Sequence, residues 1–194
     1  MTKHFVNILT WKFFLDNISI KNEINIDGFL LVLLLKLFNC NVKKKSGLIY
    51  YHDLDKNSFG YILNSKTDLK DSIGCPFWES IEDINPTDEI LNFTHKYDKI
   101  IIGISSPKQD KLALLLNNKF PKKEFICLGA AVYSKPIFNS ENLFNTWISL
   151  FISNPLRTLS KLYKSLLEVK KIILNKKERN LFRQFINTNF SKNN

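Results

Sequence analysis

The sequence predicts an α/β fold with a mostly parallel sheet and helices on both faces, and three observations carry that prediction. Lys99 to Ile102 is a short apolar β-branched run, Lys108 to Asn118 has helical spacing, and Phe125 to Leu128 is a second apolar run ending in Gly129-Ala130-Ala131. Two strands joined by a helix, each losing its large side chains at its C-terminal end, describe a βαβ unit with an open ligand edge. At 194 residues and 44% hydrophobic, the chain can bury the core of one such domain and still carry a helical appendage. The expected architecture is a Rossmann-like core over residues 1–138 and a basic helical appendage over residues 139–194.

The remaining elements follow from local pattern. Phe5 to Leu9 reads as an apolar strand, and Trp11 to Leu15 as a short helical segment. Ile24 to Ile26 resembles a strand end with Asp27-Gly28 at its lip, followed by a helix from Phe29 to Phe38 that is too apolar to lie exposed. Two readings of Asp27 stand at this point: an N-cap for that helix, or a carboxylate at the C-terminal edge of a strand, where α/β enzymes keep reactive groups. Lys43-Lys44-Lys45-Ser46-Gly47 is a basic turn whose default reading is a solvated face. Phe59 to Leu63 is a further strand, Ile73 to Trp78 passes from strand to loop, and a helix starts at Thr87 and runs toward Tyr97.

After a linker from Ser134 to Asn142, helical character begins at Leu143 and breaks at Asn154-Pro155, where proline suits the first turn of a new helix. Leu156, Leu159, Leu162, Tyr163, Leu166, Leu167, Ile172 and Ile173 recur near helical period among lysines. Such a face fits an interfacial helix on anionic lipid and equally a helix docked on its own core. The final stretch, Leu181 to Phe190, repeats the mixture more weakly and is expected to fray.

Charge and cysteines narrow the partners. From Phe151 onward ten basic residues face two acidic ones, so this segment carries +8 of the formal +10. The tail lacks aromatic platforms interleaved with its cations, so anionic lipid is the expected partner and nucleic acid is not. Cys40, Cys75 and Cys127 are scattered and flanked by apolar residues, which reads as buried thiols in a reducing compartment. No secretory signal is visible, and the most hydrophobic run, Phe29 to Phe38, is ten residues and includes Lys36, short of the ~20 needed to span a bilayer. The expected location is cytoplasmic.

The candidate chemistry lies first at the turn after Lys99–Ile102. Gly103, Ser105 and Ser106 let a ligand approach the backbone, and Pro107 presets a helical turn whose N-terminus offers N–H groups to an anion. Lys108, Gln109 and Asp110 follow, with Gln109 and Asp110 expected to project near the ligand edge and Gly129 and Ala130 to form its neighbouring wall. The alternative is a plain structural connection. The run is neither a Walker loop nor a GxGxxG fingerprint. His4, His52 and His95 stand alone, each read as a surface or core residue, and the aspartates form no DxD pair, so no metal or cofactor is expected.

These residues carry a resemblance. IIGISSPKQDKLA followed by FICLGAAVY resembles the WecB/TagA/CpsF family, glycosyltransferase family 26, at Gly103, Pro107, Lys108, Gln109, Gly129 and Ala130, with Asp110 where glutamate is usual. The likeness covers most of residues 5–165, with a shortened middle. NIDGFLLVLLLKLF resembles the family's aspartate-glycine before an apolar helix, which implies that Asp27 is the general base. Thr10 stands where the family has a substrate-facing asparagine, and Lys44 and Ser46 stand at its arginine and hydroxyl positions. Trp147, Pro155 and Arg157 match the family's C-terminal signature, while Thr146 and Leu150 replace a glutamate and an arginine.

The resemblance implies transfer of a sugar from a nucleotide donor, usually a UDP-sugar, to a polyprenyl-diphosphate-linked acceptor at the inner face of the cell membrane, in bacterial surface-polysaccharide synthesis. It further implies that Gln109 and the Gly103–Ser106 turn hold the donor, and that Gly129 and Ala130 line the nucleotide. Lys44 would sit near the sugar or phosphates, and Arg157 with Lys161 would reach the diphosphate. Assembly as a homo-oligomer fits the exposed apolar residues. The alternative is a binding or regulatory protein built on a decayed transferase fold, suggested by Thr10, Thr146, Leu150 and the short middle.

Overall fold

A computed structural model describes residues 1–15, 22–65, 69, 71–133 and 155–190. Six parallel strands form one sheet in the order β2-β1-β6-β5-β3-β4. They are β1 (Thr2–Val6), β2 (Asn22–Ile26), β3 (Gly60–Leu63), β4 (Ser72–Gly74), β5 (Lys99–Gly103) and β6 (Glu124–Cys127). The helices are α1 (Phe29–Leu37), α2 (Gly47–Asp53), α3 (Asp88–Lys96), α4 (Lys108–Lys119), α5 (Pro155–Leu174) and α6 (Lys176–Phe190), with short 3-10 turns at Trp11–Phe14, Lys56–Ser58 and Gly129–Tyr133. The chain groups into two compact units. One comprises Met1–Phe5, Ser19–Ile24 and Tyr50–Ser134; the other comprises Val6–Ile18, Asn25–Ile49 and Lys135–Asn194.

The first unit holds the β5-α4-β6 crossover. Its two strands lie side by side with Lys99 to Ile102 opposite Glu124 to Cys127. Successive residues of a strand point to opposite faces, and a parallel sheet buries both. Accordingly Ile100 and Ile102 pack with Leu112, Leu116, Phe125 and Cys127 on one side. Ile101 packs with Phe5, Tyr61, Leu63, Ile126 and Val132 on the other. α3 begins at Thr87, whose hydroxyl accepts from the Ile90 N–H, and it carries Asp88 and Glu89 in its first turn, where the helix dipole favours anions.

The second unit is built on aromatic packing. Trp11 is fully buried and meets Phe182 edge-on at 5.1 Å between ring centroids and Phe185 at 5.8 Å, while Phe38 meets Phe182 at 5.2 Å. Lys12 pairs with Glu168 of α5 at 3.1 Å and Glu178 of α6 at 2.7 Å, holding two consecutive helices at one ammonium. The α6 end is capped by Asn175, whose side-chain oxygen accepts from the Lys177 and Glu178 N–H groups.

Three expectations change. β1 runs from Thr2 to Val6 rather than from Phe5 to Leu9, because a turn at Asn7–Thr10 ends the strand and Thr2 and His4 take buried positions despite their polarity. Leu181 to Phe190 does not fray: Phe182 and Phe185 anchor it. Among the cysteines only Cys127 is buried, Cys40 and Cys75 being partly exposed. α5 buries only part of its apolar face. Ile172 is fully buried, yet Leu156, Tyr163 and Leu174 are 80%, 65% and 68% exposed. The linker from Ser134, the helix from Leu143, and Thr146, Trp147 and Leu150 lie outside the described residues. No helix among the described residues is long and apolar enough to cross a membrane.

The aromatic cluster sets a first prediction. Phe182→Ala should destabilise the protein by about 3–5 kcal/mol through loss of buried ring area and the cavity left behind, read from the midpoint of a denaturant titration. A change below about 1 kcal/mol would show that α6 does not depend on this packing.

Candidate functional site

The candidate residues fall into two groups, one in each unit. Gly103, Ser105, Ser106, Pro107, Lys108, Gln109, Gly129 and Ala130 belong to the first; Thr10, Asp27, Lys44, Ser46, Arg157 and Lys161 belong to the second.

In the first unit, β5 ends at Gly103, where an added Cβ would lie 2.7 Å from Leu63 and 3.1 Å from Val132, so only glycine fits the strand end. Ser105 is exposed and Ser106 partly so. The Ser106–Pro107 peptide is cis, and Pro107 is the N-cap of α4 rather than its first helical residue. This alters the expected anion cradle. The Gln109 N–H bonds the Ser105 carbonyl at 3.1 Å, and the Asp110 and Lys111 N–H groups both bond the Pro107 carbonyl at 3.1 Å. Two of the donors a helix start ordinarily leaves open, those of Gln109 and Asp110, are therefore taken. Lys108 turns away from the turn: its ammonium bonds the carbonyls of Trp78 and Glu79 and lies 5.3 Å from the Phe77 ring centre.

Gln109 is 3% exposed and Asp110 is 1% exposed, so neither projects openly at the edge as expected. Gln109 Oε1 is buried with no hydrogen-bond partner, and its amide borders Gly129 at 3.5–3.7 Å from where a Cβ would stand. Gly129 has φ +56°, the left-handed region, and an added Cβ would also meet the Ile104 carbonyl oxygen at 3.3 Å. A buried acceptor without a donor costs free energy unless a ligand supplies one. Gly129–Tyr133 is the 3-10 turn after β6; only the backbone of Ala130 is described.

In the second unit Asp27 does not cap α1. The N-cap of α1 is Gly28, at φ 125°, and no side chain caps that helix. The Asp27 carboxyl instead accepts from the Gly47 N–H and faces the ammonium groups of Lys44 and Lys161. Backbone pairing brings Lys44 there, since Ile26 and Lys44 form a parallel bridge and the Lys45 N–H bonds the Ile26 carbonyl at 2.9 Å. Burial pushes the Asp27 carboxyl above its ordinary range, and Lys44, the Gly47 N–H and Lys161 pull it back. Burial likewise lowers Lys44, with Asp27 opposing. Within the lysine triplet, Lys44 is drawn inward while Lys43 and Lys45 are exposed.

Ser46 is partly buried immediately before α2. Arg157 lies in the first turn of α5, one helical turn before Lys161, so both start from one face of the helix; the Arg157 side chain lies outside the described residues. Thr10 is committed locally: its hydroxyl accepts from the Asn7 N–H at 3.1 Å and donates to the Asn7 carbonyl at 3.2 Å.

One group escaped the sequence reading. His4, taken as standing alone, is fully buried with Nδ1 2.7 Å from Asp110 Oδ1, and Cys127 completes a cluster whose nitrogen, oxygen and sulfur atoms lie within 4.8 Å of one another. The signal available was a histidine at an inward position of the TKHFV strand; its partner lies 106 residues away. Compared with known proteins, the chain matches no family model, no curated protein and no solved structure.

The electrostatics of Asp27 give a second prediction. Removing the ammonium in Lys44→Met takes away the largest of the three effects that oppose burial, so the Asp27 carboxyl should titrate at still higher pH, followed by carboxyl carbon NMR. An unmoved titration would show that the two groups do not interact.

Proposed function

We propose that this chain is a glycosyltransferase that moves a sugar from a nucleotide sugar, UDP-linked, to a lipid-diphosphate-linked saccharide at a membrane surface. The resemblance of its motifs to glycosyltransferase family 26 supplies the reaction class. The observation that carries the reading is the Asp27 carboxyl, at the C-terminal lip of β2, released from helix capping by Gly28 and set beside Lys44 and Lys161. A carboxylate raised by burial is a stronger base than an exposed one, which suits removal of a proton from an acceptor hydroxyl.

In the transfer, the acceptor oxygen bonds the anomeric carbon as the bond from that carbon to the diphosphate oxygen breaks, and Asp27 takes the hydroxyl proton. Lys44 and Lys161, with Arg157 on the same helix, supply positive charge for the departing diphosphate. Asp27→Asn, nearly isosteric, should lower sugar transfer by about 10²–10⁴-fold while UDP-sugar binding persists. Transfer retained with asparagine there would overturn the base assignment.

The exposed face of α5 supports attachment to anionic lipid. Leu156, Leu159, Tyr163, Leu166 and Leu167 are exposed along one side of the helix, with Lys164 and Lys171 at its flank. Burying this stripe at an acyl boundary and placing the lysines among headgroups removes exposed apolar area without unfolding anything. The substitution Leu159→Glu combined with Leu166→Glu should abolish co-sedimentation with vesicles containing phosphatidylserine and leave the melting temperature near wild type. Unchanged vesicle binding would remove α5 from the membrane contact.

A second reading, a nucleotide-sugar-binding protein without transfer, is favoured by the local commitments of Thr10 and Lys108 and by the occupied N–H groups of α4. UDP-sugar binding with no product from any acceptor would select it.

A further inference from the structure

Asp110 is the third residue of α4, the position from which an acidic side chain ordinarily turns back to the N-cap N–H. The N-cap here is Pro107, which has no N–H, and the carboxylate goes elsewhere. Oδ2 accepts from the Ser106 hydroxyl, and Oδ1 lies 2.7 Å from His4 Nδ1. The Cys127 thiol is the third neighbour, raised well above its ordinary value by burial and then by the Asp110 charge, so it remains protonated and can donate. His4 and Cys127 are register partners on adjacent strands. One nearly inaccessible carboxylate thus collects groups from β1, β6 and the β5–α4 turn.

The network has a buried end and an open end. His4 and Cys127 are fully buried, whereas Ser106 is partly exposed beside the exposed Ser105. Whatever fixes the Asp110 rotamer therefore also fixes Ser106 and the first turn of α4, which carries the buried amide of Gln109 next to Gly129. We propose that His4 and Asp110 are positioning residues: His4 clamps the Asp110 carboxylate, which in turn holds Ser106 and Gln109 in place at the ligand edge. The clamp is a statement about the turn itself; its effect on nucleotide rests on the transferase reading above.

The test uses the full chain and four variants. His4→Leu removes the ring donor, His4→Asn keeps a side-chain N–H near the Nδ1 position, Ser106→Ala cuts the open end, and Cys127→Ser serves the metal control. Amide hydrogen exchange over residues 103–110 and titration with UDP are measured for each. A hydrogen bond to a buried charge corresponds to roughly a 10- to 100-fold change in an equilibrium constant. His4→Leu should speed exchange in 103–110 and weaken UDP binding by about 10-fold or more. His4→Asn should recover most of both, and Ser106→Ala should weaken UDP binding with exchange elsewhere unchanged.

If His4→Leu and His4→Asn behave alike, or if exchange rises equally over the whole sheet, His4 is only a core residue and the proposal fails. Should His4→Leu not fold, Ser106→Ala decides: unchanged exchange over 103–110 overturns the clamp. Stoichiometric zinc retained by the purified chain and lost in Cys127→Ser would also overturn it, making the cluster a metal centre. If wild-type protein binds no UDP, the transferase reading falls, and the exchange measurements still decide the clamp.

Discussion

A parallel sheet has no face that can be left to water, and this constraint shapes the molecule. Its crossovers place helices on both sides, so the central strands carry apolar residues consecutively rather than only at alternate positions. Ile100, Ile101 and Ile102 satisfy the requirement consecutively, feeding two cores from one strand. Polar residues that enter such a sheet must bring partners, since an unpaired polar group in this setting costs on the order of 1–3 kcal/mol. His4 brings Asp110. Burial of both faces also leaves the strand ends as the place where backbone and ligand can meet, and the small residues gather there: Gly28 after β2, Gly103 at the end of β5, Gly129 after β6.

Several of the cations are tied into the fold. Lys3 pairs with Glu124, Lys12 with two glutamates, Lys108 with two carbonyls and Lys123 with the carbonyls of His95 and Tyr97. These are structural fasteners scattered across the chain. Exposed lysines run along the whole chain, Lys36, Lys56, Lys96, Lys99, Lys119 and Lys122 among them, and α5 carries Lys161, Lys164, Lys170 and Lys171. On α5 the exposed lysines share the helix with Leu156, Leu159, Tyr163, Leu166 and Leu167, which are also exposed.

Much of the architecture was legible because it is written in local pattern. The isoleucine run, the proline at position 155 and the Thr87 start each specify an element from within a few residues. The turn chemistry was legible only as far as the residue types. Gly103-Ile-Ser-Ser-Pro announces a turn, but that Pro107 would be the cap, and that the Ser105 and Pro107 carbonyls would take the Gln109 and Asp110 N–H groups expected for an anion, depends on backbone angles that composition does not encode. The His4–Asp110 pair was illegible for a different reason: its members are 106 residues apart, and each alone looks like an ordinary polar residue. Phe182 and Phe185 belong to the same class, since their anchor, Trp11, sits at the far end of the chain.

Gly28 repays a closer look. With φ at +125° it occupies a backbone conformation that side chains rarely adopt, and it takes the capping position that an aspartate before an apolar helix would otherwise fill. The residue with no side chain is what leaves its neighbour's side chain at liberty. The setting of the Asp27 carboxyl is consequently encoded one position away from it: changing Gly28 alone would alter that setting while keeping every charged group, and the change would be invisible to any inspection confined to acids, bases and nucleophiles.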